Sequence, residues 1–205
     1  MTKIAVLVSG GGTNLQALID AQQAGKIENG QISLVVSSNP KAYALERAAK
    51  AAIPSEVLRR RDFSDAEEYG KALTALLENA DIGLIVLAGF MTVLPDSFCR
   101  HFENRIINIH PALLPSFRGL HAQRQAIEAG VKVAGCTVHF VGTGLDDGPI
   151  ITQVAVPVYD HDTEDTLSAR ILAEEHPAYV RAVKAYCEDK LHIAGHTVTG
   201  MHEEE

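Results

Sequence analysis

Short apolar runs alternating with helix-forming stretches constrain this chain more than any other feature. Ile4-Ala5-Val6-Leu7-Val8, Ile32 to Val36 and Ile82 to Leu87 are continuous, apolar and rich in β-branched residues. Runs of that length and make-up read as strands buried on both faces, the habit of parallel sheets. Between them, Leu15 to Ala24, Ala42 to Ala51 and Ser64 to Asn79 carry helical spacing or composition. The alternation predicts an α/β fold, a Rossmann-like and mostly parallel sheet with helices on both faces.

The remaining elements are shorter. A strand is expected near Ser55–Leu58, a short helix around Pro95–His101, a strand over Arg105–Ile109 and a helix over His121–Ala129. Ser64, with Glu67 three residues on, has the pattern of a capping box. Gly135–Val141 and Ile150–Val158 read as strands around a turn-rich loop, extending or flanking the same sheet. Asp162, Glu164 and Asp165 suit the positive end of a final helix, which Pro177 should break or kink before a second segment to about Asp189. Residues 1–192 read as a single domain. Residues 193–205, ending in Glu203-Glu204-Glu205, read as a frayed tail.

Composition excludes several classes of function. The 205 residues suit one sizeable core. A formal net charge of −8, from 18 Lys and Arg against 26 Asp and Glu, repels a phosphate backbone. It argues against a nucleic-acid partner while leaving room for a local anion pocket. No apolar stretch approaches the roughly 18 residues a membrane span needs. Cys99, Cys136 and Cys187 are odd in number and widely spaced, which suggests neither disulfides nor a metal knuckle. Met1-Thr2-Lys3 lacks a signal-peptide pattern, and cytoplasm is the expected compartment.

Three segments carry chemistry. Ser9-Gly10-Gly11-Gly12-Thr13-Asn14 joins a strand to a helix, where a nest of amides and a helix N-terminus can hold an anion. Leu15 stands where a dinucleotide fingerprint needs glycine, and no Gly-Lys-Ser/Thr follows. The phosphate monoester of a small substrate fits; so does a turn that merely lets helix and strand pack. In Arg105-Ile106-Ile107-Asn108-Ile109-His110-Pro111, Asn108 and His110 share one strand face, while Ile107 and Ile109 take the other. A carboxamide beside an imidazole suits polarising a carbonyl and stabilising an oxyanion; a strand-end cap is the alternative. Asp146 and Asp147 lie in a glycine-rich turn, and either could reach His110 to hold it charged. His192 and His196 have His-x3-His spacing without a third ligand. His101, His139, His161 and His202 read as surface or packing residues. Arg59-Arg60-Arg61 reads as a solvated patch able to steer an anion.

With these segments in place the chain resembles the phosphoribosylglycinamide formyltransferases, folate-dependent enzymes of purine biosynthesis, over about Ile4 to Leu191. The matching pieces are Ser9 to Gln16, Leu87-Ala88-Gly89-Phe90-Met91, Asn108-Ile109-His110-Pro111-Ala112-Leu113-Leu114-Pro115, Gly119-Leu120-His121, Val138 to Val141, Asp146 to Ile151 and Glu174-Glu175-His176. The resemblance implies a formyltransferase fold acting on two small molecules, glycinamide ribonucleotide and 10-formyltetrahydrofolate as co-substrate. It calls for no metal, and leaves a homodimer open. It implies Asn108, His110 and Asp146 as the catalytic trio, and Gly12, Thr13 and Asn14 as the seat of the 5′-phosphate. Met91, Thr92, Val93, Leu94 and Asn108 would border the folate, with the 141–146 loop closing over its ring. His121 and Glu175 would lie on the glycinamide side.

The chain departs from the family at Ala66 and Thr92, where arginines would be expected to grip the folate glutamate tail; Arg59–Arg61 or Arg118 could replace them. The competing readings are a formyltetrahydrofolate hydrolase, which usually has an added N-terminal domain, and a non-catalytic ligand-binding module. A methionyl-tRNA formyltransferase fits the acidic balance poorly.

Overall fold

The computed structural model describes residues 1–201. In chain order these form β1 (Thr2–Val8), α1 (Thr13–Gln23), β2 (Gly30–Ser37), α2 (Tyr43–Lys50), β3 (Ser55–Val57), α3 (Ala66–Asn79), β4 (Leu84–Leu87), α4 (Asp96–His101) and β5 (Ile106–His110). There follow α5 (Ala122–Glu128), β6 (Val133–Phe140), β7 (Ile150–Pro157), α6 (Glu164–Cys187), β8 (His192–Ala194) and β9 (Thr197–Thr199). All the strands join one sheet, in the order β3-β2-β1-β4-β5-β6-β7-β9-β8. β3, β2, β1, β4 and β5 run parallel. β6 returns antiparallel to β5, and β7 to β6.

Strand alternation divides the apolar residues between two cores. Ile4, Val6 and Val8 share one with Ile107, Ile109, Val138 and Phe140, and α1 and α6 cover it with Leu15, Leu18, Leu167, Ile171 and Tyr179. Ala5, Leu7, Ile85 and Ile106 share the other with Tyr69, Leu73 and Leu77 of α3 and Phe98 of α4. Helices therefore cover both faces, as the sequence pattern predicts. Cys99, Cys136 and Cys187 are buried free thiols. Among the described residues no helix is long and apolar enough to cross a membrane.

Three expectations need correction. The cap of α3 is Asp65, not Ser64: its carboxylate accepts the Glu68 N–H at 2.8 Å, which lowers the Asp65 pKa. A carboxylate serves the positive helix end better than a hydroxyl, and Ser64 instead donates to Glu68 Oε2 at 2.7 Å. Second, α6 runs unbroken through Pro177. A proline inside a helix costs about 3 kcal/mol. Burying Leu167, Ile171 and Val183 offsets it at about 1.5–3 kcal/mol each. Tyr179 adds a hydroxyl whose single hydrogen is shared between the carbonyls of Leu87 (2.7 Å) and Ile107 (2.9 Å). Third, the expected frayed tail contains a hairpin. β8 pairs antiparallel with β9, which joins β7 where Ile150 meets Thr197. Ile193 and Val198 pack against the first core. Glu203–Glu205 lie outside the described residues.

Candidate active site

β1, β4 and β5 are parallel neighbours and end at one edge of the sheet, the edge at which open α/β sheets bind ligands. The loop after β1 begins at Ser9 and gives way to α1 at Thr13. Gly12 has φ +72°, and a Cβ there would lie 2.7 Å from the Ala44 Cβ. Only glycine allows both that left-handed turn and the close approach of α2. Among the described residues the amides of Gly11, Gly12, Thr13 and Asn14 donate to no acceptor, and the Thr13 side chain is exposed. Asn14 turns its side chain away from the loop surface. Its carboxamide is buried and Nδ2 donates to Glu175 Oε2 at 2.9 Å, so it is no donor at the loop surface. Two candidates 161 residues apart thus meet beneath the glycine loop. Burial raises the Glu175 pKa, and the bond from Asn14 opposes that.

The loop after β4 is tied to the glycine loop, because the Met91 N–H donates to Ser9 Oγ at 2.8 Å. Met91 and Val93 are 67% and 84% exposed, an apolar lip on the loop after β4. Thr92 is half-buried, and Leu94 packs on the second core.

β5 supplies the central pair. Register sets Asn108 opposite His139 of β6 and His110 opposite Thr137. Ile107, Ile109, Val138 and Phe140 enter the α1–α6 core, so these four polar residues share the other face. Asn108 Nδ2 lies 3.3 Å from His139 Nε2. His139 Nδ1 lies 2.9 Å from the Phe140 carbonyl, which can only accept. Nδ1 therefore carries the proton, and Nε2 accepts from Asn108. Burial lowers the His139 pKa and favours that neutral form, against the Phe140 carbonyl and Asp146. Thr137 steadies the following loop: its hydroxyl donates to the Ala112 carbonyl (2.6 Å) and accepts the Leu114 N–H (3.0 Å).

The turn between β6 and β7 places Asp146 over the same face. Asp146 Oδ2 is 3.4 Å from His110 Nδ1 and accepts the Gly119 N–H at 2.8 Å; Oδ1 is 3.8 Å from His139 Nε2. Asp147 is exposed and folds over Gly142 and Gly144 instead. His110 is buried, and its Nε2–H donates to the Phe117 carbonyl at 2.8 Å. A proton on Nδ1 would lie between the ring and the Asp146 carboxylate. Asn108, His110, Asp146 and His139 form one contiguous cluster. His121, by contrast, is the exposed residue before α5, with φ +58° and Nδ1 3.9 Å from Glu164 Oε1.

The profile of the formyl transferase family matches residues 2–183. The phosphoribosylglycinamide formyltransferase of Haemophilus influenzae is 42% identical over 193 residues, 94% of this chain and 91% of that protein. The chain belongs to the formyl transferase family.

Other similarities fit this formyl transferase assignment. A Drosophila melanogaster trifunctional purine biosynthetic protein adenosine-3 is 50% identical over 182 residues, but the match spans only 14% of that longer protein. The crystal structure of glycinamide ribonucleotide transformylase 1 from Symbiobacterium toebii is 47% identical with a TM-score of 0.94, covering 97% of this chain and 93% of that one. His139 is the site residue of this formyl transferase that reading the sequence as packing missed. Its signal was the alternation Cys136-Thr137-Val138-His139-Phe140, which sets two polar residues on one strand face.

Proposed function

We propose that the chain transfers the formyl group of 10-formyltetrahydrofolate to the amine of glycinamide ribonucleotide. The observation that carries this reading is the Asn108–His110–Asp146 cluster at the sheet edge where β1 and β4 also end and where the 91–94 loop is tied to the glycine loop. Gly12 and Thr13 seat the 5′-phosphate through backbone amides, with Asn14 contributing its own amide. The backbone of Met91–Leu94 and the 141–146 loop border the folate ring, and Glu175 and His121 lie on the glycinamide side.

The amine attacks the formyl carbon, and the carbonyl electron pair moves onto oxygen. Asn108 donates the Nδ2 hydrogen not given to His139, and His110, whose Nε2–H is committed to Phe117, shares its one Nδ1 hydrogen between the oxyanion and Asp146. Each such donor is worth about 3 kcal/mol. The 3.4 Å gap to Asp146 is longer than a formed charge-assisted bond, as in many active sites before the reacting group arrives. Asp146 balances the imidazolium and, through water, takes the proton lost by the amine and returns it to the departing folate nitrogen. The products are formylglycinamide ribonucleotide and tetrahydrofolate.

Formyl transfer to glycinamide ribonucleotide, assayed beside a control without acceptor, tests the reading. Formate release equally fast in both would make the chain a hydrolase. The proposal also assigns the chain to the cytoplasm and two copies to a homodimer, the latter read by analytical ultracentrifugation.

A further inference from the structure

One arginine outside the cluster is built into the glycine loop. Arg47 of α2 donates from Nε to the Gly11 carbonyl at 2.8 Å and from Nη1 to Gln16 Oε1 at 3.0 Å. Its guanidinium is steadied by the Tyr43 ring, 4.9 Å from Cζ to the centroid. One turn earlier, the Ala44 N–H donates to the Gly10 carbonyl at 3.1 Å. Two successive carbonyls of the loop are therefore held toward α2. In a trans peptide the carbonyl and the next N–H point in opposite directions. Holding the Gly10 and Gly11 carbonyls thus turns the Gly11 and Gly12 amides away from α2. Those amides have no acceptor among the described residues. The arginine's planar fork is what allows one side chain to reach both Gly11 and Gln16 of α1.

We propose that Arg47 is a positioning residue for the substrate phosphate: by clamping the Gly11 carbonyl to α1 and α2, it aims the loop amides at the anion. This rests on the reading of the 11–14 loop as the phosphate seat. The clamp acts on the ribonucleotide and not on the folate: Arg47 bonds Gly11 and Gln16, whereas the 91–94 lip is tied to the glycine loop at Ser9.

The test compares the full chain with Arg47→Met and Arg47→Lys. Arg47→Met raises KM for glycinamide ribonucleotide about tenfold or more, the worth of one charge-assisted hydrogen bond. KM for the folate and kcat at saturation stay within about twofold of the parent. Arg47→Lys, which keeps the charge without the fork, recovers less than half of the loss. On glycinamide riboside, which lacks the phosphate, Arg47→Met and the parent perform alike. Inorganic phosphate tests the underlying reading separately. It competes with the ribonucleotide in the parent, and its inhibition constant rises in Arg47→Met by the same factor as KM. Failure of phosphate to compete in the parent overturns the phosphate seat and the inference with it. Competition in the parent with unchanged constants in Arg47→Met overturns the role of Arg47 alone. So does full rescue by lysine, or an equal loss with both substrates and with the riboside.

Discussion

His139 stands directly across the β5–β6 pair from Asn108 and accepts its carboxamide N–H at 3.3 Å. The orientation of the amide is set from the neighbouring strand: one N–H is used by the imidazole, and the other is left for the cleft. Asn108→Ala is expected to lower kcat by about 10²–10³, the usual loss for one oxyanion donor. His139→Phe keeps the bulk but frees the amide. It should lower kcat by about 10²-fold, as a misplaced group does, with both KM values nearly unchanged. Steady-state kinetics on the two variants decide; parental turnover in His139→Phe would show that Asn108 orients itself.

Asp146→Asn removes the negative charge 3.4 Å from His110 Nδ1 while keeping the shape. Turnover should fall by about 10²-fold or more, with unfolding temperature little changed, because proton relay and charge balance go together. Asp147→Asn is the internal control and should stay within about twofold of the parent. If the two variants behave alike, the assignment of roles within the turn is wrong.

Stability should decline as the solution is acidified. Burial lowers the pKa of His139 and His176 in the folded chain. Above the unfolded value of about 6.5 neither state binds the extra proton, and stability is flat. Below it the unfolded chain takes up protons that the folded chain refuses, and stability falls, by at most about 1.4 kcal/mol per pH unit for His139. Glu175, with a raised pKa, works the other way: its cost is relieved as pH falls below its folded value toward the unfolded one. Urea midpoints between pH 8 and 5 measure the slope. His139→Phe should flatten it and Glu175→Gln should steepen it; an unchanged slope in His139→Phe would remove His139 as the cause.

Tyr69 is fully buried in the second core, and its hydroxyl has no partner among the described residues. Desolvation pushes its pKa up to about 12. Removing an unsatisfied buried hydroxyl costs nothing in hydrogen bonding, so Tyr69→Phe should be neutral or stabilising by about 1 kcal/mol. Thermal or urea unfolding reads the sign. A loss of more than about 1 kcal/mol would mean that the hydroxyl has a partner in solution.

Ala66, the first residue of α3, and Thr92 offer no cation to the folate tail. Extending the tail from one to several glutamates should change KM by less than about threefold, the scale of one exposed ion pair. Ala66→Arg should increase that dependence. A strong preference for long tails in the parent would transfer the role to Arg59–Arg61 or Arg118.

The sequence by itself determined the alternation of strands and helices, the mostly parallel sheet and the common face of Asn108 and His110. Each follows from local rules: β-branched runs, helical spacing and the two-residue period of a strand. The tertiary structure decided what those rules cannot reach. Asp146 and Asp147 are chemically identical neighbours in one turn, and the partner at Gly119 draws only the first inward. The pairing of Asn14 with Glu175 joins residues far apart in the chain. Antiparallel register converts His139 from a packing residue into the partner of Asn108. Pro177 stays helical because burial of α6 against the finished sheet outweighs the local preference to break. Residues 192–199 form a hairpin because β9 pairs with β7 and the partly buried Ile193 and Val198 pack on the first core. Local propensities amount to about 1 kcal/mol per residue, proline aside, and packing against a completed core exceeds them.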